Sequence, residues 1–147
     1  TAGTIMRTGF SYLYIDQECS VIDPRLTVFE QTERFNTGNW AEHELKSILN
    51  RYLFPYDTWD KGCACLSGGE KIRLLFCCLM IGNNAPDVFI LDEPTNNLDI
   101  QSVEIITAAI RSYRGTVLLI SHDHYFVKEI KINRSIKLFD TGSVIKI

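Results

Sequence analysis

Apolar residues in this chain recur with two different periods. Continuous short runs stand at residues 10–15 (Phe10-Ser11-Tyr12-Leu13-Tyr14-Ile15), 88–91 (Val88-Phe89-Ile90-Leu91) and 116–120 (Thr116-Val117-Leu118-Leu119-Ile120). Their β-branched and aromatic content reads as strand, and the last two runs predict strands buried on both faces of a parallel sheet. Elsewhere the spacing is helical. Leu26, Val28 and Phe29 begin a short helix that Asn36-Thr37-Gly38-Asn39 breaks, and Ala41, Leu45, Ile48, Leu49 and Tyr52 line one face of a second helix that stops before Pro55. Ile72, Leu75, Phe76 and Leu79 predict the buried stripe of a third, and Val103, Ile106, Ala109 and Ile110 that of a fourth ending near Gly115. Residues 125–130 read as a short helix, and the segments flanking Asp140-Thr141-Gly142 read as a β-hairpin.

The order of these elements predicts an α/β fold with a parallel sheet core. Residues 26–62 interrupt it as a small helical subdomain, and residues 88–120 form a strand-helix-strand unit whose right-handed crossover sets both strand ends on one edge. That edge carries the candidate chemistry. The run at residues 88–91 ends in Asp92-Glu93, and adjacent strand residues point to opposite sides, so the two acids have different tasks. One can hold Mg²⁺ together with substrate phosphates while the other orients or deprotonates a water. Taken alone, the pair serves equally well to cap the next turn. His122 closes the neighbouring strand, within range of a transferring phosphoryl group, and Gln17 follows the first strand. Asp99 is placed to N-cap the fourth helix.

Ser67-Gly68-Gly69-Glu70 opens the third helix as a capping box. Two glycines at a helix start let backbone N–H groups approach an anion where the helix dipole favours it, so this start either cradles a phosphate or is simply well capped.

Composition narrows the field. With 46% hydrophobic and 22% charged residues the chain is ordinary globular material, which excludes disorder. A net charge of −3 argues against a surface that binds nucleic acid by its own charge. The longest apolar run, residues 74–81, falls far short of the ~18 residues of a membrane span, and no leader pattern opens the chain, so a soluble, cytoplasmic protein is expected. Five cysteines, with Cys63-Ala-Cys65 and Cys77-Cys78 lacking zinc spacing, predict reduced structural thiols.

In type and order together, these residues resemble the ATP-binding cassette (ABC) ATPases. Leu66-Ser67-Gly68-Gly69-Glu70 resembles that family's signature motif, residues 88–93 its Walker B strand, Asn97-Leu98-Asp99 its D-loop, His122 its switch histidine and Gln17 its Q-loop glutamine. The wording Glu93-Pro94-Thr95-Asn96-Asn97-Leu98-Asp99, with Glu70 closing the signature, looks most like the F subfamily, soluble tandem cassettes that act on ribosomes. The resemblance implies a P-loop-type cassette: a Q-loop strand region at residues 1–25, a helical subdomain with the signature at 26–85, and Walker B, D-loop, switch histidine and hairpin at 86–147. It implies ATP and Mg²⁺, with Asp92 and Gln17 at the metal and Glu93, His122 and Gln17 in catalysis. Ser67, Gly68, Gly69, Glu70 and Asp99 would face nucleotide held by a second cassette. One departure stands out. No glycine here is followed by lysine, so the Walker A loop Gly-x-x-x-x-Gly-Lys is absent, as is the adenine-stacking aromatic upstream of it. The expectation is a cassette whose N-terminal part is missing from the sequence, inactive alone and exposing a hydrophobic sheet edge. Two other readings stay open: a transporter's motor subunit, and a non-catalytic module that offers its signature face to a partner.

Overall fold

Three parallel strands form the centre of the computed structural model, which describes residues 9–16, 19–82, 85–96, 98–138 and 144–146. Their order is β1 (Tyr12–Ile15), β2 (Val88–Asp92) and β3 (Thr116–Ile120), with β2 in the middle. Val88 pairs with both Tyr12 and Thr116, so Leu13, Ile15, Phe89, Leu91, Val117 and Leu119 share one face. Tyr12, Tyr14, Val88, Ile90, Asp92, Leu118 and Ile120 share the other.

The first face is built over. Phe89 packs edge-on against Phe76 at 6.3 Å and at a tilt against Tyr113 at 4.1 Å, and Leu91 and Ile15 join Ile106, Ile110 and Phe126 in the buried cluster. The second face corrects the expectation of strands buried on both sides: Leu118 and Ile120 are 53% and 50% exposed, and Val88 and Ile90 are half-buried. Apolar content makes a strand able to be buried, but burial itself needs a layer on each side. Among the described residues the helices supply only one. The exposed apolar surface therefore spreads over a face of the sheet and is not confined to its edge.

Helices α1 (Val28–Arg34), α2 (Glu42–Arg51) and α3 (Gly68–Ile81) form the inserted helical layer. Thr27 caps α1 through a reciprocal box with Glu30, a cap the sequence reading did not single out. In α3 the predicted stripe is too narrow. Ile72, Leu75 and Phe76 are buried and Leu79 partly so, but Leu74, Cys77, Cys78 and Ile81 are also fully buried. The helix touches α1 and α2 on one side and α4 on the other, so most of its circumference is core.

Helix α4 (Ile100–Ser112) stops three residues before Gly115. A Cβ at Gly115 would run into the Tyr113 ring and stand 2.7 Å from the Asp87 carbonyl, so this position has room for glycine alone. Helix α5 (His124–Ile130) and the antiparallel pair β4 (Ile136–Leu138) and β5 (Val144–Lys146) end the chain as expected, the turn between the last two lying outside the described residues.

Most of the segment between α2 and α3 lies within the helical subdomain expected at residues 26–62. It contains two single turns of 3-10 helix, Tyr56–Thr58 and Cys63–Cys65, and is laced to α1. Val28 N–H donates to the Lys61 carbonyl at 3.0 Å, Phe29 N–H to that of Trp59 at 3.0 Å, and Cys63 N–H to that of Leu26 at 2.8 Å. All five cysteines are free thiols, Cys65 exposed and the others buried, and burial pushes the Cys63 thiol up to about 11.

Candidate functional site

The two carboxylates that end β2 separate as strand alternation requires. Asp92 continues the uncovered face, where its Oδ2 accepts a hydrogen bond from the Tyr14 hydroxyl at 3.0 Å. Glu93 leaves the strand with φ of +47°, a left-handed conformation costing a non-glycine residue on the order of 1 kcal/mol. Two hydrogen bonds hold it there. Its N–H donates to the Ile120 carbonyl at 2.9 Å, extending the ladder with β3, and its carbonyl accepts from Asn96 N–H at 3.2 Å.

This twist turns the Glu93 side chain towards the end of β3. His122 Nδ1 lies 2.8 Å from Glu93 Oε1. The hydrogen bond with that carboxylate, and then its charge, raise the His122 pKa above its ordinary value, although the ring is largely exposed. The other carboxylate oxygen, Glu93 Oε2, is buried with no hydrogen-bond partner among the described residues. An orphaned buried acceptor of this kind fits a water that donates to it.

Across a cavity of about 310 Å³ stands the start of α3. Ser67, Gly68, Gly69 and Ile72 line it from one side and Asp92, Glu93, Asn96 and Leu98 from the other, with Asp16 and Cys19 at the end of β1. The two glycines differ in role. A Cβ on Gly69 would come within 2.9 Å of Leu98 Cδ2, so this residue lets α3 approach Leu98 closely, whereas a Cβ on Gly68 would meet nothing within 4 Å.

Of the residues singled out from sequence, Ser67, Gly68, Gly69, Asp92 and Glu93 thus come together at this cavity, with His122 bonded to Glu93. Glu70 and Asp99 are spent on caps. Glu70 Oε2 accepts from Ser67 N–H at 2.7 Å while Oε1 takes Lys61 Nζ at 2.8 Å. Burial works against the Glu70 charge, but the bonds from Lys61 and Ser67 outweigh it and leave its pKa low. Asp99 accepts from Ser102 N–H at 2.7 Å and from the Ser102 hydroxyl at 3.0 Å. The Ser102 N–H contributes most to depressing its pKa, burial opposes, and the Ser102 hydroxyl and the charge of Arg73 add to the first. Gln17 and Asn97 lie outside the described residues. The sequence reading passed over Tyr14, whose position opposite Ile90 in the ladder puts it on the Asp92 side of the sheet.

The donor set suits Mg²⁺ of the phosphate-bound type, which uses one or two carboxylates and fills the rest of its octahedron with phosphate oxygens and water. Asp92 has one oxygen engaged by Tyr14, and among the described residues no group of three or more His, Cys, Asp or Glu gathers into a cage of its own. A larger hollow of about 650 Å³ lies at the other end of the strands, lined by Phe76, Met80, Pro86, Phe89 and Tyr113, away from both carboxylates.

Comparison with known proteins gives the same picture. The sequence model of the family described as ABC transporter matches residues 4–96. ABC transporter F family member 5 of Arabidopsis thaliana is 42% identical over 86% of this chain, which spans 18% of that protein. The chain spans about a fifth of the length of the curated relatives it matches. Among solved structures, that of the archaeal ribosomal stalk protein aP1 in complex with the archaeal ribosome recycling factor aABCE1 is similar over 92% of this chain and 26% of its own, with a TM-score of 0.68 at 24% identity. A dimeric post-hydrolysis state of the ATP-binding cassette MJ0796, bound to ADP and Pi, is similar over 82% of this chain and 56% of its own, with a TM-score of 0.60 at 20% identity. At those identities the two structures show the fold.

Proposed function

The chain belongs to the ABC transporter family of ATP-binding cassettes and is most like its F members, and we propose that it forms the signature and Walker B portion of an ATPase acting on the ribosome. The observation that carries the catalytic part is the Glu93 carboxylate. One oxygen is bonded to His122, the other is buried and unpartnered, and the backbone is bent into a left-handed conformation to aim it. In this reading Glu93 Oε2 accepts a proton from the attacking water, and His122, anchored through Nδ1, presents its other ring nitrogen to the γ-phosphate. Asp92 would hold Mg²⁺, which when bound neutralises charge on the phosphate oxygens. Gln17 is assigned to metal and water by its motif position.

The start of α3 acts outward. Gly68, with open space above it, offers backbone N–H groups to nucleotide held by a second cassette, and Ser67 stays fixed by its cap so that those groups point the same way each time. Asp99 contributes at that interface by holding the start of α4 beside Leu98. The dimeric state of the similar cassette supports a pair as the working unit. The chain alone, with no Gly-Lys loop to grip phosphate, turns over no ATP. Steady phosphate release by purified chain, abolished in Glu93→Gln, would overturn that statement.

Support for the ribosome comes from the F family relative and from the fold shared with a ribosome recycling factor. Among the described residues no helix is long and apolar enough to cross a membrane, and a cytoplasmic site of action follows from the proposal. The test is co-sedimentation with ribosomes of a complete cassette pair carrying this chain and Glu93→Gln. Pelleting with ATP but not ADP is the expected result. A second reading, a transporter motor, is favoured by one feature: a groove of about 520 Å³ on the helical layer, lined by Trp40, His43, Ile48, Arg51 and Met80, of a size to receive a partner's helix. Absence of pelleting despite measured ATP binding would shift the assignment there.

A further inference from the structure

Tyr14 and Asp92 are separated by 78 positions in sequence, yet the phenol hydroxyl donates to Asp92 Oδ2 at 3.0 Å. The sheet brings the two side chains within reach once the register is set. Tyr14 pairs with Ile90 across the parallel ladder, partners in a ladder share a face, and Asp92 lies two residues beyond Ile90 on that same face. The long aromatic side chain spans the diagonal step. Around the pair the face is apolar: Val88 and Ile90 precede Asp92 on its own strand, and Ile120 stands in register with it on β3. Among the described residues Tyr14 is the group that hydrogen-bonds the Asp92 side chain.

A carboxylate at a strand end, flanked by aliphatic neighbours, is otherwise free to rotate about its last torsion, which is broad and roughly two-fold. Fixing one oxygen fixes the plane of the group and leaves the other oxygen in a defined direction. We propose that Tyr14 is a positioning residue for the metal-binding carboxylate: by holding Asp92 Oδ2 it presents Oδ1 to the divalent cation of the nucleotide. This rests on the reading of Asp92 as metal ligand given above. Hydrogen bonds to a ligating side chain commonly contribute about 10-fold or more to metal affinity by the same orienting effect.

The experiment uses a complete cassette pair carrying this chain, with Glu93→Gln to prevent turnover and Mn²⁺ in place of Mg²⁺. Bound and free Mn²⁺ are measured by electron paramagnetic resonance in the presence of ATP, and ATP affinity is measured separately in EDTA. Asp92→Asn should weaken Mn²⁺ binding most. Tyr14→Phe, which keeps the ring, should weaken it roughly 10-fold while leaving metal-free ATP affinity and the thermal midpoint unchanged. Tyr12→Phe removes a hydroxyl from the same face, four residues back along the ladder from Asp92, and should not alter Mn²⁺ binding. If Asp92→Asn weakens the metal and Tyr14→Phe does not, the positioning role is wrong. If Tyr14→Phe weakens metal and metal-free nucleotide alike, or if Tyr12→Phe matches it, the effect is structural and the proposal fails. If Asp92→Asn has no effect, the assignment of Asp92 as metal ligand is itself wrong, and the proposal falls with it.

Discussion

Helix α3 and strand β3 are both strongly apolar, and they have opposite fates. In α3 the residues from Ile72 to Cys78 are buried without exception, and Arg73 is carried down with them, its guanidinium 5.5 Å from the centre of the Phe54 ring and its Nε without a partner among the described residues. In β3 every second residue faces open space. Hydrophobicity explains neither difference by itself. The helix is enclosed because α1, α2 and α4 stand on different sides of it, whereas the sheet receives helices on one face. The contrast extends to polar groups. At the start of α3 the Ser67 and Glu70 side chains are paired reciprocally with backbone, while at the end of β2 a buried carboxylate oxygen has no partner. One region is finished as a structure, and the other is left open for chemistry.

That contrast can be broken by substitution. The largest effect belongs to the enclosed helix: Leu74→Ala should lower stability by about 2–5 kcal/mol through lost transfer energy and a cavity, read from denaturant midpoints. Next comes the cap, where Ser67→Ala should cost about 1 kcal/mol. Loss of only a few tenths there would mean that Lys61 and Glu70 hold the turn unaided. Gly68→Ala should be neutral or gain up to about 1 kcal/mol from helix propensity, since nothing crowds it, while lowering ATPase activity of the intact cassette pair. Unchanged turnover in that variant would count against the outward phosphate-facing role.

On the open face, Leu118→Thr should shift stability by less than about 0.5 kcal/mol, as for a surface site. A core-sized loss would mean that the face is covered in solution. The smallest stability change, and the sharpest diagnostic, concerns His122. Its pKa is raised by Glu93, so the charged pair is complete below the ordinary histidine pKa and is lost as pH rises through the raised value. In Glu93→Gln the NMR titration of His122 should move back down towards the ordinary value. An unmoved titration would show that the two groups do not meet in solution.

Much of this was legible in the chain. Ser67 with Glu70, and Asp99 ahead of its apolar stripe, announced two helix starts because caps are local and their partners lie within three residues. The end of β2 was equally plain from four apolar residues followed by two acids. What escaped depends on distance. Whether a strand is covered on its second face is decided by elements elsewhere. The bond from Tyr14 to Asp92 needs a register between strands 78 positions apart, and the left-handed φ of Glu93 is imposed by β3 through Ile120. The narrow stripe expected for α3 failed for a related reason: its second buried side faces α1 and α2, whose docking has no signature in α3's own period.

The lacing of residues 59–63 to the start of α1, together with the Lys61 bridge to Glu70, has a mechanical consequence. Two backbone bonds join this segment to Val28 and Phe29 of α1 and a third joins it to Leu26 just before that helix, while one ion pair joins it to the first turn of α3, so the Ser67–Glu70 turn and the start of α1 share one connecting segment. Whatever engages Gly68 from outside therefore meets a turn that is tied, through residues 59–63, to the first helix of the same layer.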